Sequence, residues 1–298
     1  MFPSAVASVQ IAPLQIAPAI AFGIMYFVRA RTLAARGSPV PSWRQWCWYG
    51  GLTLIVVTLC SPVGALSEQL FLIHMCEHLL IGDIGALALV LGVTGPLLVP
   101  ILRAPLLGWM RELSHPVPAF GIWAVDLLFW HLVGPHQAAV RHDGIHALQH
   151  MLFVGCGFNM WMALMGPLPK PRWFGNAAKC GYIIAVRFTT TVLANIFIWS
   201  DHAYFPVYAN GERAYHVSPQ ADQVVAGSIM MIEGSILTLC LFCWLFLRSA
   251  KEVEERQELL ELAAAGGFAL DERRAARAVA AGRGPELRAR IEQDVSSG

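Results

Sequence analysis

The 298-residue chain is 56% hydrophobic and only 14% charged, and its formal net charge is +1. A soluble domain carries about a quarter of its residues as Asp, Glu, Lys or Arg, so this composition predicts a membrane protein surrounded by lipid. The near-neutral charge argues against nucleic acid as a partner. The seven cysteines are scattered, mostly in apolar segments, which argues against a disulfide framework.

Apolar segments of about 20 residues, the length that crosses a bilayer, recur along the chain. They predict an all-α, polytopic bundle of about seven transmembrane helices. The predicted spans are Ile11–Val28, Trp46–Val63, Gln69–Val93, Val117–Val133, Asp143–Met165, Lys179–Ser200 and Asp222–Arg248. Thr94–Leu102 is apolar but too short to cross, and its prolines predict a re-entrant or interfacial segment.

The Lys and Arg residues of the short loops predict how the bundle is oriented. Alternate loops carry almost all of them, namely Arg29, Arg31, Arg36, Arg44, Arg103, Arg111, Lys170, Arg172, Arg248, Lys251 and Arg256. The other loops contain only Arg141 and Arg213. We therefore expect the N-terminus outside and the C-terminus in the cytoplasm. Residues 1–250 would form the transmembrane domain, and residues 251–298 a charged cytoplasmic tail that is partly helical or disordered.

Histidine side chains are costly inside a bilayer, so each one in a predicted span is a functional hypothesis. His74 and His78 are four residues apart in the third span, and His146 and His150 repeat that spacing in the fifth. A pair at this spacing lies on one helical face and can chelate one ion. His131 ends the fourth span, and the predicted topology places all five histidines in the outer half of the membrane. The pattern predicts a metal or haem site near the outer face.

Methionines near these histidines favour copper, because thioether is a soft ligand and imidazole suits copper well. Met75 and Met151 each follow a histidine of the pairs, and Met230 lies at helical spacing from Gln223. Zinc and iron more often recruit carboxylates or thiolates, and Glu77 keeps those metals open. Haem held by two histidines across the third and fifth spans also fits the spacing.

Other polar residues are expected to support the site or the fold, namely Glu77, Asp222, Gln223, Asp126 and Arg187. Arg187 lies near mid-membrane, where a charge needs a partner. We expect it to pair with Asp126, with Asp83 and Glu233 as alternatives. His136 and His142 lie in the fourth–fifth loop, where we expect them to be exposed.

Together these residues resemble the cytochrome c oxidase assembly factor CtaG family of multi-span bacterial membrane proteins. The resemblance covers roughly residues 10–250. Its elements are His74-x-x-x-His78, Trp130-His131, His146-x-x-x-His150 with Trp161, Tyr204-Phe-Pro-x-Tyr208, and Asp222-Gln223-x-x-Ala-Gly227 with Met230-Met231. It implies a role in maturing a haem–copper oxidase at the bacterial plasma (inner) membrane. The implied partners are oxidase subunits or another copper chaperone.

The leading hypothesis is a non-enzymatic assembly factor that binds copper at the outer face and passes it on. Its expected ligands are His74, His78, His146 and His150, with His131, Met75, Met151 and Met230 as auxiliary or transfer ligands. The alternatives are a bis-histidine haem protein, a di-metal membrane oxygenase and a copper permease. An oxygenase of that kind would carry more histidines, on the cytoplasmic side. A permease would need ligands continuing through the inner half of the membrane.

Overall fold

The computed structural model describes residues 13–104, 112–267, 269–280 and 282–297. Throughout these ranges the regular secondary structure is helical, as the composition predicts. The chain divides into two compact units, Met1–Ile236 and Leu237–Gly298. Pro105 and Arg111, which the sequence places in the third loop, lie outside the described residues.

Each predicted span overlaps helices that lie in the first unit or begin there. In chain order they are α1 (Pro13–Ala35), α2 (Ser42–Cys60), α3 (Pro62–Ser67), α4 (Phe71–His78), α5 (Ala86–Gly92), α6 (Gly95–Arg103), α7 (Pro116–Trp130), α8 (Val133–Arg141), α9 (Asp143–Met165), α10 (Asn176–Trp199), α11 (Ala209–Ala214) and α12 (Pro219–Ala265). A π-helical segment, Leu79–Gly85, joins α4 to α5, and a 3₁₀ turn, Pro206–Tyr208, precedes α11. The short apolar segment after the third predicted span is α6.

Within the described ranges, four helical stretches are long and apolar enough to cross a membrane. They are Ile16–Ala35, Phe71–Gly92, Asn176–Trp199 and Pro219–Ala265. Helices α7 and α8 meet at a bend of 72° and add a fifth crossing if the pair is one broken span. Helices α2 and α9 coincide with two further predicted spans but lie outside this set. The protein is therefore a helical protein with membrane-compatible helices, and seven spans and their orientation remain predictions.

Helix α9 packs closely against the π-helical segment. A Cβ atom on Gly157 would overlap the carbonyl oxygen of Gly82, so the two backbones touch at this crossing. Small residues allow transmembrane helices to approach in this way. Gly227 serves α12 similarly, because a Cβ there would lie 2.8 Å from the carbonyl oxygen of Ala194 on α10. The first crossing holds α9 against the continuous stretch that begins with α4.

The second unit contains the end of α12, α13 (Glu272–Ala280) and α14 (Gly284–Ser297). Its small apolar core consists of Leu259, Ala263, Val279, Leu287 and Ile291. Arg288 lies 2.9 Å from Glu258 in an exposed ion pair. The segment that the sequence predicts to be a charged tail thus folds into helices with a core of its own.

Candidate metal centre

Helix α4 carries one predicted histidine pair, and its N-terminus is capped from elsewhere in the chain. Its own N-cap residue, Leu70, supplies no side-chain hydrogen bond. Instead the buried carboxylate of Asp222, on α12, accepts hydrogen bonds from the backbone N–H groups of Phe71 at 2.7 Å and Leu72 at 2.9 Å. A carboxylate on the first N–H groups of a helix satisfies them and favours the helix dipole. Asp222 therefore fixes where α4 begins.

Gln223, the next residue, holds the loop that follows α10. Its amide oxygen accepts a hydrogen bond from the backbone N–H of Tyr204 at 2.9 Å. Its amide nitrogen donates to the carbonyl oxygens of Phe197 at 3.2 Å and His202 at 3.0 Å. Asp222 thus stabilises the start of α4, and Gln223 stabilises the loop after α10. Neither side chain contacts the histidines of the two predicted pairs in these hydrogen bonds.

The four histidines of the two predicted pairs come together with Glu77 between α4 and α9. All five side chains are buried, with relative exposures of 0% for His74, 5% for His78, 7% for His146, 3% for His150 and 1% for Glu77. The ring centroids lie 4.2 Å apart within each pair. Across the pairs they lie 5.2 Å apart for His74 and His146 and 5.6 Å apart for His78 and His150. These five residues are called the histidine cluster below.

The potential ligand atoms of the cluster form two overlapping groups. One contains His74, His78 and His146, the other Glu77, His146 and His150, and the atoms within each group lie within 4.8 Å of one another. The Glu77 Oε2 atom lies 4.0 Å from His146 Nε2 and 3.5 Å from His150 Nε2. Two ligands that are each about 2 Å from one ion are separated by roughly 3–4 Å. The spacing therefore fits metal coordination with only small adjustments.

Several buried polar atoms of the cluster have no hydrogen-bond partner among the residues that the structure describes. They are His74 Nε2, His78 Nδ1 and Nε2, His146 Nε2, His150 Nδ1 and Nε2, and Glu77 Oε2. Leaving a buried polar group without a hydrogen-bond partner costs about 1–3 kcal/mol. Several such groups in one place therefore indicate that a ligand binds between them. His74 Nδ1 lies 3.2 Å from the carbonyl oxygen of Ser67, and donation there turns the free Nε2 lone pair toward the cluster. The donor set suits a transition-metal cation.

The remaining predicted ligands lie in different places. Met75, His131 and Met230 are buried and line a cavity of about 30 Å³ that His78 also borders. Met151 is 50% exposed and lies on the wall of an apolar groove that also includes His150. The structure therefore separates these residues into a buried set beside the cluster and one exposed methionine.

His136 was predicted to be exposed, and that prediction was wrong. It lies on α8 with an exposed fraction of 0%, and its ring centroid is 4.7 Å from that of His74. The bend of 72° between α7 and α8 folds this segment back, and Phe205 packs against the ring with centroids 4.3 Å apart. His142 is exposed as expected.

Tyr208 holds His136 from the loop that carries the Tyr204-Phe-Pro-x-Tyr208 motif. Its hydroxyl lies 2.8 Å from His136 Nε2. Burial raises the pKa of Tyr208 well above its ordinary value, so the hydroxyl keeps its proton when it bonds to His136. Two residues of this motif, Phe205 and Tyr208, thus contact His136, a link that the spacing of the sequence did not indicate.

Arg187 lies apart from the cluster. Its guanidinium donates to the carbonyl oxygen of Met231 at 3.1 Å and to the hydroxyl of Ser235 at 2.8 Å, both on α12. Within the described part of the chain it forms no ion pair at 4.0 Å or less, so the expected pairing with Asp126 is absent there. Asp126 is partly buried on α7. Arg187 therefore joins α10 to α12.

Comparison with known proteins agrees with the sequence resemblance. The family model described as cytochrome c oxidase caa3 assembly factor (Caa3_CtaG) matches residues 24–252. An uncharacterized protein of Mycobacterium bovis is 26% identical over 188 residues, which are 57% of this chain and 28% of that protein. An uncharacterized protein of Mycobacterium leprae is 27% identical over 235 residues, which are 72% of this chain and 35% of that protein. The matches thus span about a third of these relatives' length. No solved structure matches the chain.

Proposed function

The chain belongs to the cytochrome c oxidase caa3 assembly factor family, and from that membership we propose that it binds copper in the histidine cluster and supports maturation of a haem–copper oxidase. The observation that carries the proposal is the set of buried ring nitrogens and the Glu77 oxygen that have no hydrogen-bond partner in the described residues. Such atoms are stabilised together by one or two metal cations. Membership in an oxidase assembly family gives that cation a destination.

Copper is the metal that we propose for the cluster, whose donor set includes the Glu77 carboxylate that zinc and iron also accept. Imidazole suits copper, zinc and iron alike, and affinity at a given nitrogen site is highest for divalent copper among the first-row ions. The buried thioethers of Met75 and Met230 lie beside the cluster and add soft ligands, which favour copper further. A haem–copper oxidase requires copper, so copper held in the cluster would have a use in the proposed function.

Direct packing of the rings disfavours a bis-histidine haem. A bis-histidine haem would take one ring nitrogen from each helix, and its macrocycle would need space between α4 and α9. In the cluster the His74 and His146 rings are stacked at 5.2 Å with an interplanar angle of 10°, and His78 meets His150 edge to face. A porphyrin would have to separate α4 from α9 to enter between them.

The proposed topology is the seven-span arrangement with its N-terminus outside, in the bacterial plasma membrane. The histidine pairs lie in the first two turns of α4 and α9, which begin at Phe71 and Asp143. At 1.5 Å per residue, His78 lies about 10 Å from the start of its helix. This depth would let an oxidase subunit or a soluble copper chaperone reach the site from the outer face. Labelling of Asn210→Cys, but not of Ser296→Cys, by an impermeant thiol reagent in intact cells would support this orientation, and the opposite pattern would refute it.

Metal analysis of purified protein tests the proposal. We expect copper in the wild-type protein, together with the absence of a haem band in the visible spectrum. The variants His146→Ala and His150→Ala should lose copper, whereas His142→Ala, a change to an exposed histidine just before α9, should keep it. Copper retained in both cluster variants, or stoichiometric zinc or iron in its place, would overturn the copper assignment.

A second experiment tests the role in cells. A deletion strain grown at low copper should assemble less active oxidase with less bound copper, and the His142→Ala gene should restore both. The His150→Ala gene should not restore them, although its product is present in the membrane. Restoration by the His150→Ala gene would show that any assembly role is independent of the cluster.

A further inference from the structure

Met75 and His131 meet in an arrangement that a hydrogen bond does not explain. His131 Nδ1 lies 2.7 Å from the carbonyl oxygen of Leu127, and His131 Nε2 lies 3.3 Å from the Met75 Sδ atom. A carbonyl oxygen can only accept, so Nδ1 carries the hydrogen of the neutral ring and donates it. Nε2 then holds a lone pair, and it faces a thioether sulfur that also has only lone pairs to offer.

Two ligands that bind the same cation direct their lone pairs toward one point, as His131 Nε2 and Met75 Sδ do here. The bond to Leu127 has the form usual for metal-binding histidines, in which one ring nitrogen donates to a backbone carbonyl and the other is aimed at the metal. His131 is 8% exposed and Met75 is 1% exposed, so water competes little for the position. An imidazole and a thioether together select a soft ion such as monovalent copper.

A third soft ligand lies on the same cavity. Met230, which is 4% exposed, lines the cavity of about 30 Å³ together with Met75 and His131. A water-sized species needs about 10–15 Å³ of such space, so an ion fits without displacing side chains. Asp83 and Glu233 also line this cavity, so carboxyl groups lie near the proposed ion.

We propose that Met75, His131 and Met230 form a second site, distinct from the histidine cluster, that binds one monovalent copper ion. The choice of copper rests on the proposed function, whereas the geometry of the site does not. His78 belongs to the cluster and also borders the cavity, so the two sites adjoin along α4. Monovalent copper, which imidazole also binds, could therefore be held at either position without a change of oxidation state and without leaving the protein.

Titration of the full-length purified protein with Ag⁺, a soft monovalent ion that does not change oxidation state, tests this proposal. We expect Met75→Leu with Met230→Leu to lower the bound Ag⁺ by one ion per protein. Either single change should lower the affinity for that ion by about 10-fold or more, because removing a ligand should cost at least as much affinity as removing a group that only orients a ligand. The buried Met160→Leu, which does not line the cavity, is the matched control and should bind as the wild type does.

Two further variants separate the possible failures. His146→Ala with His150→Ala should remove the cluster's copper but leave the Ag⁺ held by Met75, His131 and Met230. Unchanged Ag⁺ stoichiometry in the double methionine variant, with a melting temperature equal to that of the control, would overturn the second site. Loss of Ag⁺ in Asp83→Asn but not in the methionine variants would also overturn it, because the ion would then be held by carboxylates.

Discussion

Replacing Asp222 by Ala should weaken the metal centre although Asp222 touches none of its proposed ligands. The change removes two hydrogen bonds, at 2.7 and 2.9 Å, from a charged acceptor to the backbone of Phe71 and Leu72. Loss of a helix cap costs about 0.5–2 kcal/mol, and each hydrogen bond to a charged group contributes about 1.5–3 kcal/mol. Since Asp222 is fully buried, water compensates little, and we expect a loss of about 2–4 kcal/mol in the free energy of unfolding.

Part of that loss should appear as local fraying of the first turn of α4, which carries His74. Copper affinity in Asp222→Ala should therefore fall together with the melting temperature, and both can be measured on one detergent-purified sample. Asp222→Asn keeps an acceptor oxygen and should lose roughly half as much. Asp201→Ala, at an exposed position, should change neither quantity. The cap would have no bearing on the site if Asp222→Ala bound copper as tightly as the wild type.

Three other predictions follow from contacts outside the ligands. Gly157→Ala forces a Cβ against the Gly82 carbonyl oxygen in the π-helical segment and should destabilise the protein by about 1–3 kcal/mol. Gly155→Ala is the control, because a Cβ there meets open space. Equal yields and melting temperatures for the two variants would contradict the close crossing. Tyr208→Phe removes the hydroxyl bonded to His136 and should lower the free energy of unfolding by about 1 kcal/mol, while the copper content stays unchanged. Loss of copper in this variant would place His136 among the ligands. Burial lowers the pKa of Lys170 from 10.5 to about 8. Between about pH 8 and pH 10.5 the unfolded chain therefore binds more protons than the folded chain, so the free energy of unfolding should rise with pH in that range. Comparing melting temperatures of the wild type and Lys170→Met across that range checks the sign, and equal slopes would refute it.

The sequence predicted the two histidine pairs because helical spacing is local information. His74 and His78, and likewise His146 and His150, share a face in any α-helix. That α4 and α9 turn these faces toward each other is a long-range contact, which helical spacing does not encode. Glu77 was expected to support the site, and the structure instead places its carboxylate among the potential ligand atoms. One further residue rotates a helical side chain by about 100°, which is why Met151, next to His150, points away.

His136 could not have been predicted from local pattern. Its burial depends on the bend between α7 and α8 and on Phe205 and Tyr208, which arrive from a loop some 70 residues later. The same limit applies to Asp222, which caps a helix that lies 150 residues earlier in the chain. Long-range contacts of this kind leave no periodic trace in the sequence, so composition and spacing identify the polar residues but not their partners.

The π-helical segment Leu79–Gly85 has a geometric consequence for how this chain could evolve. A π-bulge absorbs one extra residue within an α-helix, because its i→i+5 turn rotates the chain less per residue than an α turn does. The 3.6-residue spacing that puts His74 and His78 on one face therefore does not continue in register through the segment to α5, which packs against α2. Deleting a single residue from the segment would restore a uniform α-helix that is still long enough to span a bilayer. The histidines and α5 would then keep their relative directions, so the chain can change length here without redirecting its proposed ligands.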